Sequence, residues 1–320
     1  MKKKKILSKI NFHYVVIILL ILLLTAYMGI KSPYFLTFTN MKVMVDTFIM
    51  EAIMALGMTM VIISGGIDLT IAGILPFSSI ILAMLLIKGV PFVIASLIVL
   101  VIAGMIGMLN NSLRRHLNLH PMVVTMAIAA VLKGLDLTIT GGSAISNLPK
   151  SFAALSNLKI LGMPISWVVY IILAVSFLYL SKNSKFFSQI YFVGGNKDAA
   201  ALSGIKIEKV YRSVYVMSAL LAAVAGILTA VTYSSASYSY GTNADLRVIT
   251  TVAIGGTSLT HGGTGSIAGT LLGTLFMAII YNAFVMSGIS TYYQDVVTGV
   301  FLIVAVLLSE AVNGWKTRHS

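Results

Sequence analysis

Long apolar runs are the feature that most constrains this chain. A helix needs about 20 mostly apolar residues to cross a bilayer, and runs of that length recur along most of the sequence. The runs are continuous, whereas the strands of a membrane β-barrel alternate. We therefore predict an all-α, polytopic membrane protein with about ten transmembrane helices, some of them broken or re-entrant. The candidate spans are 12–30, 43–63, 71–87, 91–110, 121–140, 165–181, 212–232, 246–260, 266–286 and 292–309.

The composition supports a membrane protein. Hydrophobic residues make up 58% of the chain and charged residues 10%, whereas apolar residues are about half of a soluble domain. The spans leave little chain for a soluble unit, so residues 1–320 are predicted to form a single transmembrane domain. The basic and apolar amino terminus could be a cleaved signal peptide, but many spans follow and no small-residue cleavage site appears. An uncleaved first helix is the better interpretation.

The positive charge predicts an orientation. The formal net charge is +13, which in a soluble protein could indicate binding to nucleic acid. In a membrane protein the excess of lysine and arginine in cytoplasmic loops accounts for it, so we expect the lipid bilayer and no nucleic acid as surroundings. With Lys2–Lys5 inside, an even number of spans places both termini, residues 114–120 and residues 181–212 in the cytoplasm.

One polar segment, residues 194–209, lies between two apolar runs on the predicted cytoplasmic side. Asn196 is a favourable N-cap, and Asp198 suits the positive end of a helix dipole. Three alanines and a leucine follow, which are strong helix formers, and Gly204 is a suitable residue to end the helix. The pattern predicts a short helix with a small surface. Such a helix either docks into a cleft on another protein or is an ordinary capped loop.

Several motifs resemble a known family. The segment "DAAALSG" resembles the E-A-A-x-x-x-G signature of ABC importer permeases, with Asp198 in place of glutamate. The segments "GGIDLT" (65–70), "ADLRVITTVAIGGTSL" (244–259), "GGTGSIAGTLLG" (262–273) and "STYYQDVVTGVFLIVAVL" (290–307) are similar to the ribose-type monosaccharide ABC permeases. The similarity runs from about residue 40 over most of the chain. Two departures are Thr70 in place of serine and one additional residue near Thr260.

The resemblance implies a function and partners. The chain would be the transmembrane permease subunit of an ABC importer for a ribose-like sugar, in a bacterial cytoplasmic (inner) membrane. Its partners would be an ABC ATPase subunit, an extracytoplasmic solute-binding protein and a second permease subunit, identical or related. The chain would bind no cofactor, and ATP would be used by the ATPase subunit, since this sequence has no G-x-x-x-x-G-K-[ST] motif. The coupling contacts to the ATPase would involve Asn196, Asp198, Ala199, Ala200 and Gly204.

Two glycine-rich segments are candidates for the translocation path or gate. "SGGIDLT" and "GGTSLT" each interrupt apolar sequence before a helix, and a break in a span is tolerated where it is buried or lines a wet cavity. The alternative for the first is a tight turn between spans, with its carboxylate as a solvated helix cap. The candidate residues are Gly65, Gly66, Asp68, Gly255 and Gly256.

Glu51 is a third candidate for the path. It lies inside a predicted span, where an acidic residue costs about 2.5–3.5 kcal/mol on insertion scales. Such a residue faces the bundle interior or a wet path. The glycines at 265, 269 and 273 have a different interpretation, because their spacing of four suits the close packing of another helix. Gly265, Gly269 and Gly273 are therefore assigned to helix packing.

The sequence shows no pattern typical of an enzyme. The five histidines have no metal-binding spacing such as H-E-x-x-H, and no Ser–His–acid set can be identified, so we expect no catalytic residues and no metal. Two alternatives remain open. The same architecture could carry another solute, such as an autoinducer, a nucleoside or a branched-chain amino acid. A self-contained secondary transporter is the other, and it would use charges deep in the spans.

Overall fold

The computed structural model describes residues 12–290 and 292–319 of this protein, and it is almost entirely helical. The predicted cytoplasmic cluster Lys2–Lys5 lies outside the described residues. Two pairs of residues form a small antiparallel hairpin, β1 (Lys159–Ile160) and β2 (Met163–Pro164). The helices are α1 (Phe12–Lys31), α2 (Phe38–Ile63), α3 (Ile71–Ile87), α4 (Phe92–His116), α5 (Pro121–Thr140), α6 (Lys150–Ser156), α7 (Ile165–Asn183), α8 (Lys185–Gly195), α9 (Lys197–Leu202), α10 (Ile207–Tyr233), α11 (Ala244–Ile254), α12 (Ile267–Met286) and α13 (Tyr292–His319).

The all-α, polytopic prediction is confirmed. Within the described residues, seven helices are long and apolar enough to cross a membrane, and two shorter apolar helices accompany them, at Ile71–Ile87 and Tyr292–Leu307. Nine of the predicted spans correspond to these helices. Most boundaries lie within two residues of the predicted ones. The starts of α2 and α10 and the end of α4 differ by five or six residues, and α13 continues ten residues beyond the predicted end.

The eighth predicted span, 246–260, is wrong as a continuous helix. Helix α11 ends at Ile254 after 11 residues, which is about 16 Å of helix against a hydrocarbon core of about 30 Å. Gly255 donates the last helical hydrogen bond, to Thr251, and the helix ends because Gly256 adopts a φ of 88°, which a right-handed helix does not allow. The chain then runs without helix to Ser266, the N-cap of α12. This crossing is a broken one.

Helix α10 forms the centre of the bundle. It packs against α2, α3 and α4, and most of its residues are buried. A Cβ at Gly226 would lie only 2.3 Å from the carbonyl oxygen of Leu75, so α10 and α3 approach closely, as small residues permit between membrane helices. In contrast, α4 and α7 expose large aliphatic side chains along their outer faces. That arrangement suits lipid on the outside and a packed interior.

The helices alternate between two ends of the bundle. At one end His13 Nε2 lies 2.8 Å from the Ile254 carbonyl oxygen, and Gly263 donates its N–H to Ile63 over 2.7 Å. At the other end Ile145 and Ala236 form a backbone bridge. We call the first the basic end (residues 64–70, 114–120, 184–206 and 255–266) and the second the opposite end (32–37, 88–91, 141–164, 234–243 and 287–290).

The basic end has the larger share of positive charge among the described residues. The cations in or near the opposite half are Lys31, Lys42, Lys88, Lys133, Lys150, Lys159 and Arg247, of which Arg247 is paired with Glu51. Those at or beside the basic end are Arg114, Arg115, Lys182, Lys185, Lys197, Lys206, Lys209 and Arg212. This asymmetry has the sense that the positive-inside rule associates with a cytoplasmic face.

Candidate functional site

A short capped helix, α9, projects at the basic end. The side-chain oxygen of Asn196 accepts the N–H of Ala199 over 2.9 Å, and Gly204 takes a φ of 79°, a conformation that glycine adopts without strain. Asp198 and Ala199 are exposed, whereas Ala200 is buried against the bundle. The helix therefore presents a small, mostly uncovered surface.

Leu202 is the apolar side chain that this surface displays. It is 91% exposed at the last turn of α9. The alanine-rich pattern predicted the helix, but the orientation of Leu202 depends on how α9 sits on the bundle and could not be read from its spacing. An uncovered leucine on an otherwise polar loop is suited to contact with another surface.

Helix α8 is a stem for α9 that the sequence interpretation missed. Ser184 caps it by accepting the N–H of Phe186 over 3.1 Å. Its buried side chains, Phe187, Ile190 and Val193, recur at every third position, which places them on one face. That spacing, together with the serine cap, was the signal available in the sequence. The stem ends at Gly195, directly before α9.

The end of this stem touches the last residue of α2, just before the first glycine-rich segment, and the loop that follows the second one. A Cβ at Gly194 would lie 1.8 Å from the Ile63 carbonyl oxygen and 2.5 Å from the Gly263 nitrogen. Gly263 itself donates to that same carbonyl. Three backbone segments from the end of α2, the loop after α11 and the stem of α9 therefore meet without a side chain between them. Gly194 is therefore in direct backbone contact with the chain on either side of this junction.

The first glycine-rich segment, residues 64–70, is a turn between α2 and α3. Asp68 is fully buried, so the alternative in which its carboxylate caps the helix from solvent is wrong. Its Oδ1 accepts the Thr70 N–H over 3.1 Å and the Thr70 hydroxyl, and Asn110 Nδ2 donates to that hydroxyl oxygen over 2.9 Å. Burial raises the pKa of Asp68, against the opposing effect of the Thr70 hydrogen bonds. The turn is thus fixed by a buried polar network.

Gly65 and Gly66 begin the same turn. Gly65 has a φ of 86° with open space around it, whereas a Cβ on Gly66 would lie 2.7 Å from the Tyr215 hydroxyl of α10. The second segment, at Gly255 and Gly256, lies at the same end of the bundle, where a Cβ on Gly256 would meet the His13 ring. The structure thus brings the two similar segments to one end.

Two of the three packing glycines lie on α12. A Cβ on Gly269 would lie 2.0 Å from the Gly255 carbonyl oxygen, and one on Gly273 would lie 2.3 Å from that of Thr251. Both therefore face the end of α11 at backbone contact. Gly265 does not share this face, because α12 begins at Ile267, and it contacts the Thr257 side chain instead.

Tyr211 connects α9 to the bundle by charge as well as by packing. Its buried ring has the Arg114 guanidinium carbon 4.1 Å and the Lys197 Nζ 5.5 Å from its centroid. Arg114 Nη2 also pairs with Glu208 Oε2 at 2.8 Å. Lys197 is the first residue of α9, so these cation–π contacts attach α9 to α4 and α10. Sequence spacing could not find this contact, because its members come from three separate elements.

Glu51 lies apart from the glycine-rich segments, nearer the opposite end. Its Oε1 pairs with Arg247 Nε at 2.6 Å, and Arg247 is in the first turn of α11. Arg247 Nη1 is 4.0 Å from Asp295 Oδ1 on α13. The sequence interpretation singled out Glu51 and missed Arg247, although an arginine within an apolar run was a visible signal. The pathway candidates are thus divided between two places.

Among the described residues no group of three or more His, Asp or Glu side chains is arranged to hold a metal ion.

Comparison with known proteins gives a consistent result. The sequence model of the family described as "Branched-chain amino acid transport system / permease component" matches residues 40–306. The chain is 34% identical to the ribose import permease protein RbsC of Bacillus subtilis, over 89% of each chain. It is 34% identical to the probable ABC transporter permease protein YphD of Escherichia coli, over 91% of this chain and 87% of that one.

A third relative is the D-allose transport system permease protein AlsC of Escherichia coli, 29% identical over 91% of this chain and 90% of that one. No solved structure matches the chain.

Proposed function

The chain belongs to the family of branched-chain amino acid transport system permease components, and from this membership we propose that it is the transmembrane permease subunit of an ABC importer. The solute is a monosaccharide, since the relatives above are named for ribose and D-allose. A separate ATPase subunit supplies the energy. The permease contributes a path and a bundle with two arrangements, and no bond chemistry.

The observation that carries this proposal is the position of α9. It is a capped helix with an uncovered leucine, and its stem contacts Ile63 and Gly263, which adjoin the two glycine-rich segments, backbone to backbone. Asn196, Asp198, Ala199, Ala200 and Gly204 shape this helix. In the proposed cycle it docks into the ATPase subunit, and ATP-driven closure of that partner displaces it. This is a coupling helix.

The displacement acts on the proposed gate through the stem. Gly194 transfers movement to the ends of α2 and α11, which carry Gly65, Gly66, Gly255 and Gly256. Asp68 holds the first turn in shape through Thr70. Glycines at these points let the backbone rotate, while the buried network keeps the turn from unfolding. The proposal places the moving part of the path next to the coupling helix.

The ion pair of Glu51 argues against a self-contained secondary transporter, in which Glu51 would be the candidate ion-coupling residue. Glu51 is held at 2.6 Å by Arg247, so its charge is already balanced. An ion-coupling carboxylate must instead exchange a proton or cation during the cycle.

The proposed positions of the other partners depend on which end of the bundle faces the cytoplasm. The basic end faces the cytoplasm and the ATPase subunits, with both termini on that side, and the opposite end faces an extracytoplasmic solute-binding protein. The membrane is the bacterial cytoplasmic membrane. A second permease subunit, identical or related, completes the path, as the resemblance implies. ATP is bound by the ATPase subunit.

The test is co-purification of the tagged chain with its ATPase from mild detergent, with the partner identified by mass spectrometry as a P-loop protein. Leu202→Asp and deletion of 198–204 are expected to lose the ATPase. Leu161→Asp is the matched control, because Leu161 is 92% exposed but lies in the β1–β2 hairpin at the opposite end. A chain that purifies alone, or a deletion that keeps the ATPase, contradicts the assignment.

A further inference from the structure

A mixed-charge cluster lies between three helices, away from the coupling helix. It consists of Glu51 in the middle of α2, Arg247 in the first turn of α11 and Asp295 in the first turn of α13. Their side chains are 15%, 22% and 55% exposed. The exposure rises from Glu51 to Asp295, so the cluster extends from the bundle interior towards the opposite end. Asn243 Nδ2 fixes Asp295 by donating to its Oδ2 over 3.0 Å.

The hydrogen bonds within this cluster are incomplete. Arg247 uses Nε to bind Glu51 Oε1, while its Nη1 is 4.0 Å from Asp295, beyond hydrogen-bond range. Glu51 Oε2 is buried and has no hydrogen-bond partner within the described residues. A guanidinium carries further N–H donors on its two Nη groups, and a carboxylate oxygen is an acceptor. The free acceptor Glu51 Oε2 therefore lies on the carboxylate that Arg247 binds, and the Nη groups of Arg247 have N–H donors to offer.

A sugar hydroxyl fits this combination. It donates one hydrogen bond and accepts others. When the bundle moves to an arrangement that opens this site, one hydroxyl can donate to Glu51 Oε2 and accept from an Arg247 Nη group. Charge-assisted hydrogen bonds of this kind are the stronger ones. An ion pair that is largely withdrawn from water gives little net stability, since apolar residues of similar size do as well. Charged side chains within spans instead mark solute paths.

The cluster is also connected to the proposed gate. Arg247 is in α11, the broken helix, and α11 leads directly into Gly255 and Gly256. Those glycines are followed by the loop that contacts Gly194 in the stem of the coupling helix. A solute held by Arg247 therefore contacts the same element that the coupling helix displaces from the other end.

We propose that Glu51 and Arg247, with Asp295 at the rim, form a contact site for the hydroxyl groups of the transported monosaccharide, and that this site discriminates between sugars by their hydroxyl pattern. This inference rests on the proposed function. The competing explanation is a clamp that only fastens α2, α11 and α13 together. A clamp affects all solutes equally, whereas a contact site affects the sugars according to their hydroxyls.

The test is import into proteoliposomes that contain the permease, its ATPase and its binding protein, with ATP inside. The probes are D-ribose and its 2-deoxy, 3-deoxy and 5-deoxy analogues. The variants are Glu51→Gln and Arg247→Lys, which keep the size or the charge of the side chain. Arg114→Lys is the matched control, since Arg114 forms the comparable ion pair with Glu208 at the basic end. Every sample uses the same binding protein, so its own selectivity cancels.

The deoxy analogue that lacks the contacted hydroxyl has no hydrogen bond to lose in the variants. For Glu51→Gln and Arg247→Lys, import of D-ribose is therefore expected to fall about tenfold relative to that analogue, the size of one charge-assisted hydrogen bond. For Arg114→Lys all sugars are expected to change by one common factor. If the Glu51 and Arg247 variants also lower all sugars by a common factor, the cluster is a clamp and the inference is overturned. A wild-type complex that binds its ATPase but imports no sugar overturns the monosaccharide function, and this inference with it.

Discussion

At the basic end, the space for a single Cβ atom decides which residues fit. Gly194 leaves no room for a Cβ against the Ile63 carbonyl, whereas Gly195, one position on, has open space around it. Tyr211 is held differently, by two cations on its ring, each worth about 0.5–2 kcal/mol depending on solvent. The Arg114–Glu208 pair has a partly exposed carboxylate, so it contributes at most about 1 kcal/mol. Packing, more than charge, governs this junction.

Gly194 and Gly195 are predicted to respond differently to the same substitution. Gly194→Ala is expected to abolish sugar-dependent stimulation of ATP hydrolysis, because the stem must move away from Ile63 and Gly263, at a cost of about 1–3 kcal/mol for overpacking. Gly195→Ala is the control and should retain wild-type stimulation, with a gain of up to about 1 kcal/mol from its better helix propensity. The measurement is ATPase activity of the reconstituted complex with and without loaded binding protein. Equal activities in the two variants would contradict the contact.

Elements differ in how far the sequence predicts them. The apolar runs predicted seven helices of spanning length and two shorter apolar ones, because length and continuity alone determine them. The caps predicted α9, because Asn196 and Gly204 act within a few residues. The sequence predicted an interruption at GGTSLT but drew the span on to residue 260, since Val, Ile and Thr continue the apolar run up to Gly255, where the helix ends. The pairing of Glu51 with Arg247 joins residues far apart in sequence, which no local pattern specifies.

Helix α9 depends on its cap. It has six residues, and helices this short are not stable by themselves in water. Asn196→Ala removes the oxygen that accepts from Ala199, a loss of about 1 kcal/mol, and should weaken ATPase binding about fivefold. Asn196→Asp keeps an accepting oxygen and should bind as the wild type does. Titration of the purified ATPase against the detergent-solubilised permease measures both, and equal affinities for all three chains would exclude a role for the cap.

The whole molecule is a bundle with unlike ends. Helix α10 is enclosed by α2, α3 and α4, while aliphatic side chains cover the outer helices. Lysine and arginine side chains are more numerous at the basic end, and the proposed coupling helix is there. Orientation in the membrane is therefore the property on which all the proposed partners depend.

The sequence makes that orientation easy to test, since it contains no cysteine. Ser203→Cys places one thiol beside α9, and Ser143→Cys places one at the opposite end, both at exposed positions. In spheroplasts a membrane-impermeant maleimide should label Ser143→Cys and spare Ser203→Cys until the membrane is opened. Inverted vesicles should give the reverse. Labelling of Ser203→Cys in intact spheroplasts would reverse the topology and remove the coupling assignment.

The meeting of Gly194, Ile63 and Gly263 has a consequence for genetics. A defect in the Arg114–Glu208 pair can be reversed by exchanging the two charges, since each partner is a side chain that another codon can supply. At Gly194 the partners are a carbonyl oxygen and an amide nitrogen, which every amino acid provides in the same form. No second codon restores the lost space there. A selection for suppressors of Gly194→Ala should thus recover only reversion at this junction.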